Sequence, residues 1–232
     1  MSGFVFKQFT VTQTRTAMKV STDGILLGAW ANLKRAERIL DIGTGTGLLA
    51  LMAKQRSPEA NISAIEIDSG ACSDARENFA NSPWPDISLF QGAVQSFSAV
   101  KPFDAIISNP PYFNASLKGD NDARNTARHT DGLSFSDLIA ACTRLSHGKT
   151  VLNVILPCVE AQQFITVAEQ ADWYLTRHCL VRTTEKKQPS RSLLLFSQSK
   201  CECETTSLTI HAADGSYSQD YKELCKAYYL KM

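Results

Sequence analysis

This sequence of 232 residues is short of the features that would send a protein to a membrane, a metal or a polyanion. No unbroken apolar run is long enough to span a bilayer. The first ten residues, MSGFVFKQFT, hold neither a long apolar core nor a small-residue cleavage site, so they do not read as a signal peptide. The expected compartment is the cytosol. Charge of one sign is missing as well. Lys and Arg number 24 against 23 Asp and Glu, a formal net charge of +1. That excludes a polycationic tail and leaves room for a local basic patch. Paired cysteines are scarce. The seven are scattered, and Cys201 and Cys203 form the one close pair, with no second pair or His pair at ligand spacing. No metal is expected, and free thiols in a reducing compartment are the better reading. Repeats, low-complexity segments and linkers rich in Pro, Gly or Ser are absent too. A chain of this length, 44% hydrophobic, fits one domain over 1–232. Its parts are an N-terminal segment at 1–36, a core at 37–200 and a C-terminal strand and helix at 201–232. A monomer is the expected state.

What the chain does have is alternation. Short apolar runs occur at 38–43, 61–68, 87–91, 103–108, 150–157, 174–181 and 192–197. Helix-like stretches lie between or after them at about 47–56, 70–81, 94–98, 134–146 and 160–171. Strand-helix alternation predicts an α/β fold, a mostly parallel sheet with helices on both faces. The last two runs are separated only by TTEKKQPSR, too short for a helical crossover, so they should pair antiparallel. The expectation is a Rossmann-like sheet of seven strands ending in an antiparallel hairpin. One further short strand and a closing amphipathic helix follow it. Trp30 and Phe79 read as helix-face core.

Two motifs carry chemistry. LDIGTGTGLLAL follows the first run and opens a helix. Gly43, Gly45 and Gly47 permit a sharp turn and close backbone approach at a helix N-terminus. The spacing is not the dinucleotide fingerprint, because Leu48 stands where its third glycine belongs. Asp41 precedes the loop, and a carboxylate there suits an ammonium better than a pyrophosphate, which favours S-adenosylmethionine. Glu66, about 20 residues beyond, is placed to accept bonds from ribose hydroxyls. The second motif is SNPPYF, at the end of the fourth run. The side-chain oxygen of Asn109 and the carbonyl of Pro110 can each accept one hydrogen of a planar NH₂ group. Pro110 and Pro111 fix the direction and cannot compete as donors. Tyr112 can stack on the substrate plane.

With both motifs placed, the chain resembles class I S-adenosylmethionine-dependent methyltransferases of the Asn-Pro-Pro-Tyr branch. More narrowly, FKQFTVTQTRTAMKVSTDGILLGAWA, LDIGTGTGLLALM, IISNPPYF, RSLLLFS and YSQDYKELCKAYYL resemble the bacterial tRNA1(Val) adenine-37 N6-methyltransferases. The resemblance implies a cofactor site of Lys19, Thr22, Asp23, Asp41, the Gly43 loop, Glu66 and Asn109. It implies catalytic roles for Asn109, Pro110, Pro111 and Tyr112, and tRNA as partner. One departure stands out. After the third strand the family commonly carries an acid facing the cofactor's adenine; here that place is Ala93, and Gln95 or a backbone carbonyl is the substitute. For RNA, the basic residues are Arg124 and Arg128 after the catalytic motif, and Arg177, Arg182, Lys186, Lys187 and Arg191 around the last hairpin. These make a phosphate-binding patch or a solvated basic loop. Lys7, Arg15 and Lys19 can extend the patch, and His129 reads as a loop residue. The nearest rival is a protein-glutamine N5-methyltransferase. Such enzymes carry a helical recognition domain before the glycine loop, and only 40 residues precede Asp41. A DNA adenine methyltransferase would need a target-recognition region, a guanine-N2 enzyme usually has Phe in place of Tyr112, and a non-catalytic binding module would not need an intact Asp41 and Asn109.

Overall fold

The structure, a computed structural model, describes residues 3–16, 19–111 and 133–231. Two short antiparallel strands come first, β1 (Gly3–Val5) and β2 (Thr10–Thr12), then helix α1 (Thr22–Trp30). Next are β3 (Arg38–Ile42), α2 (Leu48–Arg56), β4 (Asn61–Glu66), α3 (Ser69–Ala80), β5 (Ser88–Gln91), a single 3₁₀ turn (Val94–Ser96) and β6 (Phe103–Ser108). The chain closes with α4 (Phe135–Leu145), β7 (Ser146–Pro157), α5 (Cys158–Glu169), β8 (Tyr174–Thr184), β9 (Arg191–Ser197), β10 (Glu204–His211) and α6 (Gln219–Cys225).

The sheet has eight strands in the order β10-β8-β9-β7-β6-β3-β4-β5. Strands β7, β6, β3, β4 and β5 run parallel, and β9 is antiparallel to both β7 and β8. The expected seven strands become eight because Glu204–His211 adds itself in parallel to the open edge of β8. Only Leu208 of that strand is buried, as an edge strand over a polar surface requires.

Successive residues of the central strands feed opposite faces. Ile39, Ala105, Ile107 and Ile155 pack with α1, α2, α3 and α6, while Leu40, Ile106, Leu152 and Val154 pack with α4 and α5. Strands buried on both sides explain the continuous apolar runs. Phe79 is buried in the first of these cores; Trp30 is only partly so, and its ring lies under the Arg177 guanidinium at 4.1 Å.

The N-terminal elements have the weakest sequence signals. Helix α1 contains Gly24 and Gly28 and buries residues around most of its circumference, so it shows no polar face. All seven cysteines are free, with Cys201 exposed and Cys203 half-buried. Among the described residues no group of His, Cys, Asp and Glu is arranged to hold a metal ion, and no helix is long and apolar enough to cross a membrane.

Candidate active site

The carboxyl ends of β3, β4 and β6 meet at one edge, and the loops leaving them enclose a cavity of about 730 Å³. The turn after β3 makes its floor. Gly43, Gly45 and Gly47 have φ of +73°, +56° and +84°, a region that L side chains rarely enter. Their spatial roles differ. A Cβ on Gly43 or Gly45 would meet nothing within 4 Å, so the space above both is open cavity. A Cβ on Gly47 would stand 2.4 Å from the Phe79 ring, so this glycine serves packing against α3 and does not line the cavity.

Asp41 lies beneath the loop, fully buried, on the α2 face of β3. Its Oδ2 accepts from Thr44 Oγ1 at 2.5 Å and from the Ala50 backbone N–H at 3.0 Å, while Oδ1 has no partner. Burial pushes its carboxyl up to about 7, against the opposing pull of the Thr44 and Ala50 bonds. Asp41 therefore orders the loop and the start of α2, and keeps one buried acceptor directed at no protein donor.

Glu66 ends β4 on the cavity wall. Its Oε2 accepts from Gly45 N–H at 2.8 Å, and its Oε1 accepts from the N–H groups of Ile67 and Asp68 at 2.8 and 2.9 Å. Three backbone bonds lock its orientation. Beyond it, exposed Ile67 together with Val94 and Gln95 forms an apolar and amide-bearing end. Ala93 lines this end as well, but its carbonyl already accepts from Ser96 N–H and Ser96 Oγ. Gln95 is thus the remaining polar side chain at the place where the family commonly has an acid.

Asn109 reaches the same cavity by register. Ile42 and Ser108 are Cα partners on adjacent parallel strands, and Ser108 Oγ donates to the Ile42 carbonyl at 2.9 Å. The next residues, Gly43 and Asn109, leave the sheet side by side. Among the described residues the Asn109 side chain has no hydrogen-bond partner. Asn109 and Pro111 line the cavity, and Pro110 between them is buried. Tyr112, Arg124, Arg128 and His129 lie outside the described residues.

The fourth wall comes from the N-terminal segment through Thr16, Lys19, Val20 and Ser21. Two polar residues one helical turn apart on α3 hold it there, and sequence reasoning missed both. Buried Asp74 accepts from the N–H groups of Arg15 and Thr16, each at 2.9 Å, and from Thr14 Oγ1 at 3.2 Å. Burial favours a neutral Asp74, but these donors outweigh it and hold the carboxyl below its ordinary value. Buried Asn78 bonds Thr12 through both its backbone groups and also donates to the Thr46 carbonyl of the glycine turn. Their signal was there, since Asp74 and Asn78 fall three and seven residues after Ala71 and share its buried stripe with Ala75.

Thr22 and Asp23 are not in this cavity. They face a second pocket on the other side of the first turn of α1, where Arg191 Nε donates to Asp23 Oδ2 at 2.7 Å. Lys186 and Lys187 are exposed on the β8–β9 turn. Because β8 runs parallel to β7, that turn projects from the same sheet edge as the glycine loop and Asn109. Of the other basic residues, Arg177 lies over the Trp30 ring, and Arg182 Nε is buried with no hydrogen-bond partner among the described residues. Arg15 binds Asp74 and Glu77, and Lys7 Nζ donates to the Lys226 carbonyl at 2.6 Å.

Comparison with known proteins fits this geometry. The family model described as "Methyltransferase small domain" matches residues 22–127. The tRNA1(Val) (adenine(37)-N6)-methyltransferase of Pseudoalteromonas translucida is 55% identical over 232 residues, covering 100% of both chains. The chain belongs to this methyltransferase family. The enzyme of the same name from Vibrio campbellii is 45% identical over 99% of this chain and 96% of its own. A solved structure described as a predicted O-methyltransferase, from Agrobacterium tumefaciens, superposes with a TM-score of 0.69 at 19% identity, covering 89% of this chain and 96% of its own. That likeness shows the class I methyltransferase fold. In this methyltransferase the strand order, the glycine turn and Asn109 thus converge at the carboxyl edge, where open α/β sheets bind ligands.

Proposed function

We propose that this chain transfers the methyl group of S-adenosylmethionine to N6 of adenine 37 in tRNA1(Val), in the cytoplasm and as a monomer. The observation that carries the reading is the position of Asn109. An amide with no hydrogen-bond partner among the described residues lines a large cavity, beside a glycine turn, in a chain whose relatives bear that activity by name.

The cavity's residues fit S-adenosylmethionine. Gly43 and Gly45 leave room where side chains would intrude. The lone Oδ1 of Asp41 supplies negative potential under the loop for an ammonium. The fixed carboxylate of Glu66 suits ribose hydroxyls, and Ile67, Val94 and Gln95 suit an adenine ring and its amino group. When bound, the cofactor supplies an electrophilic methyl group on sulfur. The chain's own task is to hold and polarise the nucleophile. Asn109 Oδ1 accepts one N6–H of the target adenine and the Pro110 carbonyl accepts the other, which draws electron density onto the nitrogen and turns its lone pair toward the cavity. Tyr112 stacks on the ring. Alignment and electrostatics suffice, with no side chain needed as a base for the displacement. After transfer the surplus N6 proton leaves to solvent. The exposed turn at Lys186 and Lys187 binds RNA phosphate.

Incubating the protein with methyl-labelled cofactor and total tRNA, followed by digestion to nucleosides, tests the reading. N6-methyladenosine is the expected labelled product. Label in protein, or in a guanine nucleoside, would overturn it.

A further inference from the structure

The second pocket, of about 250 Å³, lies on the opposite side of α1 from the cofactor cavity. Its walls come from α1, the carboxyl ends of β8 and β10, and the start of β9. We propose that it receives one unstacked nucleobase of the RNA strand next to the methylated adenosine, a base carrying an exocyclic amino group. The inference rests on the proposed tRNA reading.

Three features select a base over other ligands. One wall is aromatic. His211 and Tyr217 lie with ring centroids 5.2 Å apart and planes within 18°, and Tyr217 continues onto Tyr221 at 4.9 Å. Aromatic rows of this kind are what splayed RNA bases stack upon. The charge in the pocket is balanced, because Arg191 at its rim is bonded to Asp23 and also donates to the Ser190 carbonyl at 2.9 Å. A neutral planar group suits such a pocket better than a phosphate. The hydrogen-bonding groups are those that read a base edge: the Asp23 carboxylate, which accepts from amino groups, and the hydroxyls of Thr183 and Ser190.

Placement agrees with the same strand of RNA. Arg191 pairs with Pro157 at the carboxyl end of β7, and β9 is two strand spacings, about 10 Å, from β6, which carries Asn109. A nucleotide close to the flipped adenosine reaches that far. The exposed Lys186 and Lys187 stand on the turn just beyond, where the phosphates of a base seated in the pocket emerge.

The test combines binding and methylation. Anticodon stem–loop RNAs, unaltered and with each nucleotide flanking adenosine 37 replaced in turn by uridine, are titrated onto the full chain. At one position, replacement should weaken wild-type binding about ten-fold, as loss of a good base contact does. Thr183→Trp, at an exposed rim position, should fill the pocket and weaken binding of the unaltered RNA by the same factor. The uridine replacement should then cost nothing further. His211→Ala should behave alike, and cofactor affinity should be unchanged in both variants. Full additivity of the RNA and protein changes, or wild-type binding by Thr183→Trp, would overturn the proposal. A wild-type chain that binds these RNAs with that coupling yet forms no N6-methyladenosine would instead defeat the functional reading.

Discussion

At the residue scale, Gly43 and Gly47 have similar backbone angles and different surroundings, so they should fail differently. Gly47→Ala must both hold φ near +84° and push Phe79 aside, and should cost about 2–4 kcal/mol of stability in chemical denaturation. Gly43→Ala meets open space, so it should cost only about 1–2 kcal/mol. Its Cβ enters the cavity, however, and calorimetry should show weakened S-adenosylmethionine binding. Asp41 gives a pH signature. Its folded value, about 7, lies above the ordinary 3.8, so the neutral form favours folding and that contribution fades as pH rises toward and through 7. Asp41→Asn should therefore gain thermal stability relative to wild type between about pH 4 and pH 8. The ionised form is the one that attracts an ammonium. Wild-type cofactor affinity should thus rise between about pH 5.5 and pH 7, and the Asn variant should lose affinity and respond less to pH.

At the scale of elements, the N-terminal wall of the cavity depends on α3. Asp74→Ala removes the acceptor for two backbone N–H groups and a hydroxyl, leaving them unsatisfied. It should destabilise the protein by about 2–4 kcal/mol. Hydrogen exchange should then rise first over 12–16, and cofactor affinity should fall through the displaced Lys19 wall. Exchange confined to α3 itself would contradict this dependence. This dependence also marks what the sequence could and could not express. The strands at 38–42, 61–66 and 103–108 were legible because burial on both faces forces continuous apolar runs. Asn109 and the glycine turn were legible because proline and glycine leave fixed local signs. The strand pair at the N-terminus was not, since short half-exposed strands carry little pattern, and the last strand was expected without any sign that it would extend the sheet beside β8. The pairing of Asp23 with Arg191, 168 positions apart, has no local sign at all. Thr22 and Asp23 line the second pocket and not the cavity beside the glycine turn, although the resemblance implies that they belong to the cofactor site.

At the scale of the whole molecule, one sheet edge gathers the glycine turn, Asn109, the second pocket and the basic β8–β9 turn. A net charge of +1 gives little overall pull on RNA, so local cations must supply the phosphate contacts. Replacing Lys186 and Lys187 by Ala should lower the slope of log affinity for tRNA against log salt by about two units and leave cofactor affinity intact. An unchanged slope would make this turn a solvated loop.

The central claim is that the Asn109 amide acts on N6 of one adenosine. It is tested most directly with tRNA1(Val) transcripts carrying adenosine or guanosine at position 37 and methyl-labelled S-adenosylmethionine. Wild-type protein should label only the adenosine transcript, as N6-methyladenosine. Asn109→Ala should bind cofactor and RNA nearly as well and lose about 10²–10³ of the rate, as single positioned acceptors and donors do. Near-normal turnover by Asn109→Ala, or equal labelling of the guanosine transcript, would contradict the account.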